Sequence, residues 1–269
     1  MSSPILRYAA PHDLCDISAI WQLCFGDGDG FVGRFFEVLQ PACTTVVAEL
    51  DGRVLAFITA FDNVHFCEGK YSYLYALAVH PEHQRRGLGA AVLQHAICAA
   101  HQRGHDGAFL RPASAELSES YIRRFFGTAA AYLHESVFIA EKPPGSFSGV
   151  SEISLGDYIS RVSGGASIPQ ELASAQALLC ESYGEVFLSA SSGSCFHIAK
   201  DSDGFIVKNV QGSGFELSQL CAFLKTDRLT IKSLSQNSAG ALYPAVIFFP
   251  ARDDFKIPRM HDIPFFWLD

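Results

Sequence analysis

The chain has 269 residues, of which 49% are hydrophobic, 12% aromatic and 18% charged, with a formal net charge of −8 at pH 7. This length allows one large or two modest domains, and the high apolar content argues against an intrinsically disordered or coiled-coil protein. The acidic balance argues against a nucleic-acid partner or an anionic membrane, and no segment offers the ~20 apolar residues of a membrane span.

The start of the chain, MSSPILRYAA, has no basic segment followed by an apolar one, so no secretory signal is predicted. The 8 cysteines are scattered along the chain without a C-x-x-C pair. This pattern favours reduced, mostly buried thiols in a cytoplasmic protein. The sequence leaves the oligomeric state open.

Strand and helix patterns alternate through the first half of the chain. A short strand is predicted at Ile5 to Tyr8, and a helix from Asp13 to Phe25 is ended by Gly26. A second helix is predicted from Phe31 to Leu39. Next come two β-branched, apolar runs that we expect to pair as an antiparallel hairpin, because the Asp51-Gly52 dipeptide between them is typical of a type I′ turn.

The following segment places a glycine-rich loop between a strand and a helix. The strand is predicted at Tyr71 to Val79, the polar loop at His80 to Gly89, and the helix at Leu88 to Arg103. A further strand follows at Ala108 to Arg111, and Ser114 is positioned to cap a helix from Ala115 to about Phe126.

The sequence KPPGSFSG has the composition of a linker and suggests two domains. We place the first at residues 1–140, the linker at 141–150, and a smaller α+β domain at 151–269. Helices are predicted there at 168–181 and 215–225, and strands at 195–199, 205–210, 229–234 and 245–249. We expect this second domain to shape one wall of a substrate site, since such sites commonly form between domains.

The loop after Val79 carries the main chemical signal. Gly87 and Gly89 let the backbone turn tightly and approach a ligand, and a helix begins directly after them. The unpaired N–H groups of that helix, together with Arg85 and Arg86, form a predicted binding site for phosphate or pyrophosphate. The alternative is an exposed turn with solvated arginines. The dinucleotide and Walker motifs are absent from the sequence.

This segment resembles the coenzyme-A-binding motif of the GCN5-related N-acetyltransferase (GNAT) superfamily, Q/R-x-x-G-x-G/A after a V-x-P strand end. The match consists of Gln84, Gly87 and Gly89 after Val79 and Pro81. The likeness extends from about Ile5 to Ile139. The strand Y-x-Y-A-x-A-V, in particular, is similar to the Eis-type branch, in which further domains follow the acetyltransferase unit.

The resemblance implies an α/β fold with a mixed, splayed central sheet flanked by helices, and acetyl-coenzyme A as cosubstrate. It implies that backbone amides from Arg85 to Ala90 hold the pyrophosphate and that the strand edge at 77–79 binds the pantetheine arm. The cofactor-binding residues would be Leu77, Ala78, Val79, Gln84, Arg85, Arg86, Gly87, Leu88, Gly89 and Ala90.

By the same resemblance, Tyr121 is the general acid that protonates the departing thiolate; the alternative is a buried aromatic with a satisfied hydroxyl. The sequence departs from the usual Y-x-x-x-G-F pattern because Phe125 occupies the glycine position and Gly127 follows two residues later. This departure suggests a shifted helix end.

The general base stays open. The candidates are Tyr73, Tyr75, His65, Glu49, a water chain and, by resemblance to the Eis-type branch, the C-terminal carboxylate of Asp269. The tail PFFWL before Asp269 would otherwise simply pack against the second domain.

No metal is expected. The candidates are His101 with His105, four residues apart, and His80 near His83. Gly104 ends the helix before His105, so H-x-x-x-H does not present one face, and no E-x-x-H context accompanies it.

The sequence therefore predicts an acetyl-coenzyme-A-dependent N-acetyltransferase that acts on a primary amine of a small molecule, by direct attack and without a covalent enzyme intermediate. One alternative is a non-catalytic acyl-coenzyme-A-binding or regulatory module. The other is a nucleotide-binding regulator that uses the same anion-binding site.

Overall fold

The computed structural model describes residues 3–39, 43–66, 68–140, 149–162, 170–202, 204–212, 215 and 217–251. Within these ranges, no helix combines the length and the apolar composition needed to cross a membrane. The described strands are β1 Ile5–Tyr8, β2 Cys43–Leu50, β3 Arg53–Phe66, β4 Gly69–Val79, β5 Gly107–Leu110, β6 Thr128–Ile139, β7 Val150–Ile153, β8 Val186–Ala190, β9 Cys195–Asp201, β10 Gly204–Gln211, β11 Arg228–Ser235 and β12 Tyr243–Pro250. The helices are α1 Leu14–Phe25, α2 Asp29–Leu39, α3 Leu88–Gln102, α4 Ala115–Phe125, α5 Leu155–Val162, α6 Gln170–Tyr183 and α7 Leu217–Leu224.

The described strands form one mixed sheet in the order β1-β2-β3-β4-β5-β12-β6-β11-β10-β9-β8-β7. Neighbouring strands are antiparallel except for β4 with β5 and β10 with β11, which are parallel. This confirms the predicted mixed α/β class with a large sheet flanked by helices.

The hairpin between β2 and β3 has the predicted turn. Asp51 and Gly52 adopt φ angles of 51° and 80°, the left-handed conformation that a type I′ turn requires at both central positions. The ladder beside the turn pairs Leu50 with Arg53.

The sheet opens between β4 and β5. Their ladder ends at the pair Leu74 and Leu110, whereas β4 continues to Val79 along β3. A bulge in β4 accompanies this opening, and Ala76 has a φ of 52°. Among the residues that the structure describes, no strand therefore lies beside the β5 side of β4 from Tyr75 to Val79, as the predicted splayed sheet requires.

Strand β12, from the last part of the chain, lies between β5 and β6. Gly107 pairs with Pro250, and Thr128 pairs with Phe248. The side chains of Val246, Ile247 and Phe248 are fully buried. The strand itself was predicted at 245–249, but its place in the first half of the sheet was not. The predicted domain boundaries, at residue 140 before the linker and at residue 150 after it, stay a prediction. Residues 141–148 lie outside the described range.

Helices cover both faces of the sheet around the opening. On one face, Trp21 of α1 and Phe35 of α2 belong to one buried cluster with Phe57 and Phe248 of the sheet. On the other, α3 and α4 pack against Ile247 and further buried residues of the sheet. Alternating side chains of β3 and β12 reach opposite faces, as the period of a strand dictates.

The second half extends the sheet beyond β6. Helix α5 and strand β8 were not predicted. Helix α6 packs against α2 of the first half. The seven cysteines in the described ranges are free thiols, of which Cys180, Cys195 and Cys221 are buried, so the predicted burial holds for fewer than half of them.

Candidate active site

The loop between β4 and α3 forms a tight turn at the predicted glycine. A short 3₁₀ turn covers Pro81–His83, and Gly87, with a φ of 85°, stands directly before α3. The carbonyl of Gly87 accepts the hydrogen bond of Ala91 at 2.9 Å, which starts the helical ladder. The backbone N–H groups that precede Ala91 at the start of α3 have no acceptor within the helix, so they are available to an anion.

The start of α3 lies close to the end of β4. A Cβ atom added to Gly89 would lie 3.1 Å from Cγ2 of Val79, which is tighter than most real contacts. Arg85 adopts a φ of 60°, and both Arg85 and Arg86 are exposed. The predicted cofactor residues of the loop therefore share one accessible turn at the end of the open strand edge.

The side chain of Gln84 binds the protein itself. Its Nε2 atom donates to the carbonyl of Val79 at 3.3 Å, and Sγ of Cys24 donates to the same oxygen at 3.4 Å. Gln84 thus connects the loop to the end of β4. Val79 belongs to the strand edge at 77–79 that the resemblance assigned to the pantetheine arm, and its carbonyl already has two protein donors.

A cleft of about 680 Å³ opens where β4 and β5 diverge. One side includes Leu74 to Leu77 of β4, Leu110 to Ala113 at the end of β5, and Leu117 and Tyr121 of α4. The opposite side consists of Trp21, Phe25 and Asp27 from the first part of the chain and of residues from α6 and strands β9 to β12. The second half of the chain therefore contributes a wall of the cleft, where sites for two substrates commonly form.

Tyr121 lies in the cleft lining, on the face of α4 that packs against the sheet. Its side chain is 7% exposed, and its ring lies 6.5 Å from that of Phe249. Burial raises the pKa of Tyr121 to about 12, because a phenolate is poorly solvated there. The phenol is therefore protonated at neutral pH and can donate a proton.

The end of α4 explains the unusual residue at the glycine position. The helix continues through Phe125, and Phe126 adopts the left-handed conformation with a φ of 55°. The turn that a glycine usually makes is thus displaced by one residue. Phe125 packs in the core beside Phe249, whereas Phe126 is 85% exposed.

Asp27 is an acidic group in the cleft that the sequence reasoning missed. Its Oδ2 accepts a hydrogen bond from the indole Nε1 of Trp21 at 2.7 Å, and its Oδ1 accepts one from the hydroxyl of Tyr183 at 2.5 Å. The Trp21 ring lies 6.2 Å from that of Tyr75 on the open edge of β4. The available signal was the run Gly26-Asp27-Gly28 directly after a helix, which presents a carboxylate on a tight turn.

The other candidate bases fall into two groups. Tyr73 and Tyr75 line the cleft. Glu49 instead forms an ion pair with Arg7 at 2.8 Å, and His65 lies near the far end of the β3–β4 hairpin. The structure therefore brings neither Glu49 nor His65 to the cleft. The tail and Asp269 lie outside the described residues.

The histidines four residues apart do not form a pair. His101 contacts the carbonyl of Phe249 at 3.2 Å, whereas His105 is buried beside Ser72 at 2.9 Å.

Elsewhere in the described ranges, two groups of three possible metal ligands come together. They are His80, Glu82 and His83 in the loop, and Cys180, Glu185 and His197 beside the cleft. In the second group both oxygens of Glu185 already bind protein cations or donors, Lys208 at 2.5 Å and His197 at 2.7 Å.

Comparisons with known proteins agree with the fold. Residues 14–125 match the acetyltransferase (GNAT) family. No curated protein sequence matches the chain significantly. A GCN5-related N-acetyltransferase from Anabaena variabilis is similar over 92% of this chain and 73% of its own, with a TM-score of 0.64 and 12% identity. One from Kribbella flavida is similar over 92% and 72%, with a TM-score of 0.63 and 13% identity.

Eis1 from Mycobacterium abscessus is similar over 92% of this chain and 73% of its own, with a TM-score of 0.60 and 12% identity. The predicted likeness to the Eis-type branch is thus confirmed at the level of the fold. The Gly87 turn, the open edge of β4 and the match to the acetyltransferase (GNAT) family thus lie in the same part of the chain, residues 14–125.

Proposed function

We propose that the protein transfers an acetyl group from acetyl-coenzyme A to a primary amine of a small molecule. The observation that carries this proposal is the cleft itself. It joins the open edge of β4 and the protonated phenol of Tyr121 on one side to a separate wall with room for an acceptor on the other. The family match at residues 14–125 supports the same chemistry.

The loop residues fit a coenzyme A ligand. Gly87 has a φ of 85°, a conformation that other residues rarely adopt, and a Cβ atom on Gly89 would lie 3.1 Å from Val79, so both positions favour glycine at the start of α3. The amides from Arg85 to Ala90 would hold the pyrophosphate, with the two arginines adding positive charge. The edge of β4 at Leu77 and Ala78 would hold the pantetheine arm. When bound, this cosubstrate supplies the activated acetyl thioester.

In the reaction, the neutral amine nitrogen forms a bond to the thioester carbonyl carbon, and the carbon–sulfur bond breaks. Tyr121 gives its proton to the departing thiolate, and the nitrogen loses one proton, so the products are an amide and a free thiol. The phenol suits this role because its raised pKa, about 12, keeps it protonated across the physiological range.

Asp27 is our candidate for the group that receives the acceptor amine. Its two oxygens are held by neutral donors, Trp21 and Tyr183, which fix the carboxylate without neutralising its charge. It can orient an ammonium group at the cleft and take up the proton directly or through water. The C-terminal carboxylate of Asp269 stays a second hypothesis for this step.

The test is an acceptor screen that measures thiol release from acetyl-coenzyme A. We expect amine-dependent thiol release in the wild type and its loss in Tyr121→Phe, with unchanged release in the control Tyr8→Phe, whose hydroxyl lies outside the cleft. Tight coenzyme A binding without turnover of any amine would instead identify a non-catalytic acyl-coenzyme-A-binding module. Effective competition by ATP or GTP would favour a nucleotide-binding regulator.

A further inference from the structure

The charged side chains of the cleft are mostly basic, although the protein is acidic overall. Two carboxylates line the cleft, Asp27 and Glu185. The basic residues in its lining are Arg111, Lys200, Lys208 and Lys232. The phosphate-binding loop at 84–90 is not part of this lining, so the phosphates of a bound cosubstrate do not account for these cations.

Lys208 is held in the cleft by a bulge in β10. The ladder with β9 pairs Val207 with Ile198 and then Asn209 with His197, so Lys208 is an extra residue on its strand. Its Nζ lies 2.5 Å from Oε1 of Glu185. This pair fixes one ammonium group on the wall, but its charge is largely balanced.

Lys232 supplies positive charge that no carboxylate of a described residue balances in an ion pair. It lies on β11, half-buried, and forms no ion pair or hydrogen bond with a described residue. The residue opposite it on β6 is Glu135, which is exposed and is not part of the cleft lining. A half-buried ammonium group without a partner loses part of the stabilisation that water gives to its charge. An anion that enters the cleft would replace this lost stabilisation.

This charge pattern discriminates between classes of acceptor. An amine with several positive charges would be repelled by the wall, whereas an amine with an anionic group would be attracted to it. Positive charge near the acceptor also favours the neutral, nucleophilic form of its amine.

We propose that the acceptor is a small amine that also carries an anionic group, and that Lys232, next to the Lys208–Glu185 pair, binds that group. Amino acids and phosphorylated amines belong to this class. The inference rests on the proposed function and names the substrate class of the same cleft.

The experiment compares acceptors that differ only in the anionic group. Free amino acids are measured against their carboxamides, and phosphoethanolamine against ethanolamine, with acetyl-coenzyme A and thiol release as the readout. We expect the anionic acceptors to have the higher kcat/KM. In Lys232→Gln, kcat/KM for them should fall roughly 10- to 100-fold, the range for a lost hydrogen bond to a charged group, with little change for the neutral partners.

The matched control is Lys225→Gln, because Lys225 is an exposed lysine that does not line the cleft. It should leave every rate unchanged. An equal loss for anionic and neutral acceptors in Lys232→Gln, or a wild-type preference for polycationic amines, would overturn the proposal.

A binding measurement separates this proposal from the proposed function. N-acetyl amino acids and their amides are titrated into the coenzyme-A-bound protein by calorimetry. If no amine is acetylated but N-acetyl amino acids bind tightly and lose affinity in Lys232→Gln, the anion site stands and the transferase function fails. If amines are acetylated and the anions do not bind better than the amides, the anion site is wrong.

The chain's own C-terminal carboxylate is another possible source of the anion. A chain lacking residues 264–269 distinguishes the two. If Lys232→Gln still weakens the binding of N-acetyl amino acids in the shortened chain, measured by calorimetry, the site belongs to the acceptor. If this effect disappears, the site belongs to the tail.

Discussion

The hydroxyl of Tyr183 donates a hydrogen bond to Oδ1 of Asp27 at 2.5 Å, joining residues 156 positions apart in the chain. Tyr183 is the last residue of α6, and Asp27 lies in the turn between α1 and α2. Burial and this bond together raise the pKa of the Tyr183 phenol, so it stays a donor to the carboxylate. The second half of the chain thus positions an acidic group of the first half at the cleft.

Replacing this carboxylate should impair use of the acceptor. We expect Asp27→Asn to lower kcat/KM for the amine roughly 10- to 100-fold, because the amide cannot accept a proton and attracts an ammonium group less strongly. Coenzyme A affinity should be unchanged. The control Glu37→Gln alters an exposed carboxylate that does not line the cleft. Normal amine kinetics in Asp27→Asn would remove Asp27 from the mechanism.

Coenzyme A binding should depend on the two loop glycines, each for its own reason. Gly87→Val places a branched side chain at a φ of 85°, and Gly89→Val puts atoms against Val79. Both should weaken coenzyme A binding, measured by calorimetry, while the protein stays folded. Gly33→Ala is the control, because its added Cβ has no neighbour within 4 Å. Wild-type affinity in folded Gly87→Val would contradict the assignment of this loop.

Tyr121→Phe should lower kcat by roughly 10² to 10⁴, the effect of losing one acid or base group, with little change in coenzyme A affinity. Because the pKa of Tyr121 is about 12, the wild-type rate should not fall between pH 7 and about 10 from loss of this proton. A steady decline of kcat over that range, or a loss of cofactor affinity with normal kcat, would argue for a different role.

The local structure of the loop and of α4 was predictable because it depends on neighbours in sequence. Glycines, arginines and a helix start follow one another from 84 to 90, and the Asp51-Gly52 turn is equally local. The place of β12 depends on pairing between residues near 107 and near 250, which leaves no local pattern. Asp27 was missed for the same reason, since one of its two donors comes from α6.

The pair between Glu185 and Lys208 should make stability depend on pH. Burial alone would raise the pKa of Glu185, but the hydrogen bond of His197 and the charge of Lys208 outweigh it and hold the pKa well below its usual range. The unfolded chain therefore binds a proton more readily than the folded one. The stabilisation that ionised Glu185 gives to the folded protein is complete when the pH is above the ordinary pKa of glutamate, near 4.3. It is lost as the pH falls below that value.

We expect the free energy of unfolding, measured with urea, to drop as the pH decreases below about 4.5. The drop should be smaller in Glu185→Gln, which cannot titrate at this position. The exposed carboxylate in Glu119→Gln serves as the control. If the free energy of unfolding changes with pH in the same way in wild type and in Glu185→Gln, the carboxylate of Glu185 has an ordinary pKa in the folded protein.

Strand β12 makes the first half of the sheet depend on the end of the chain. It fills the space between β5 and β6, and Phe249 supports the ring of Tyr121. The Cβ of a residue replacing Gly127 would overlap the side chain of Ile247, which indicates how closely the segment after α4 approaches β12.

We therefore expect a chain that ends at Ala140 to lack a cooperative thermal transition and to bind no coenzyme A, although every predicted cofactor residue is present in it. Without β12, the side chains of Phe109 and Ala131, both fully buried in the whole protein, would lie beside an empty strand position. Removing only residues 264–269 leaves β12 intact, so that shortened chain should keep its coenzyme A affinity and lose acceptor turnover or stability first. Circular dichroism melting and calorimetric titration of both chains give the comparison. A folded 1–140 chain with wild-type coenzyme A affinity would mean that β12 is dispensable for the cofactor site.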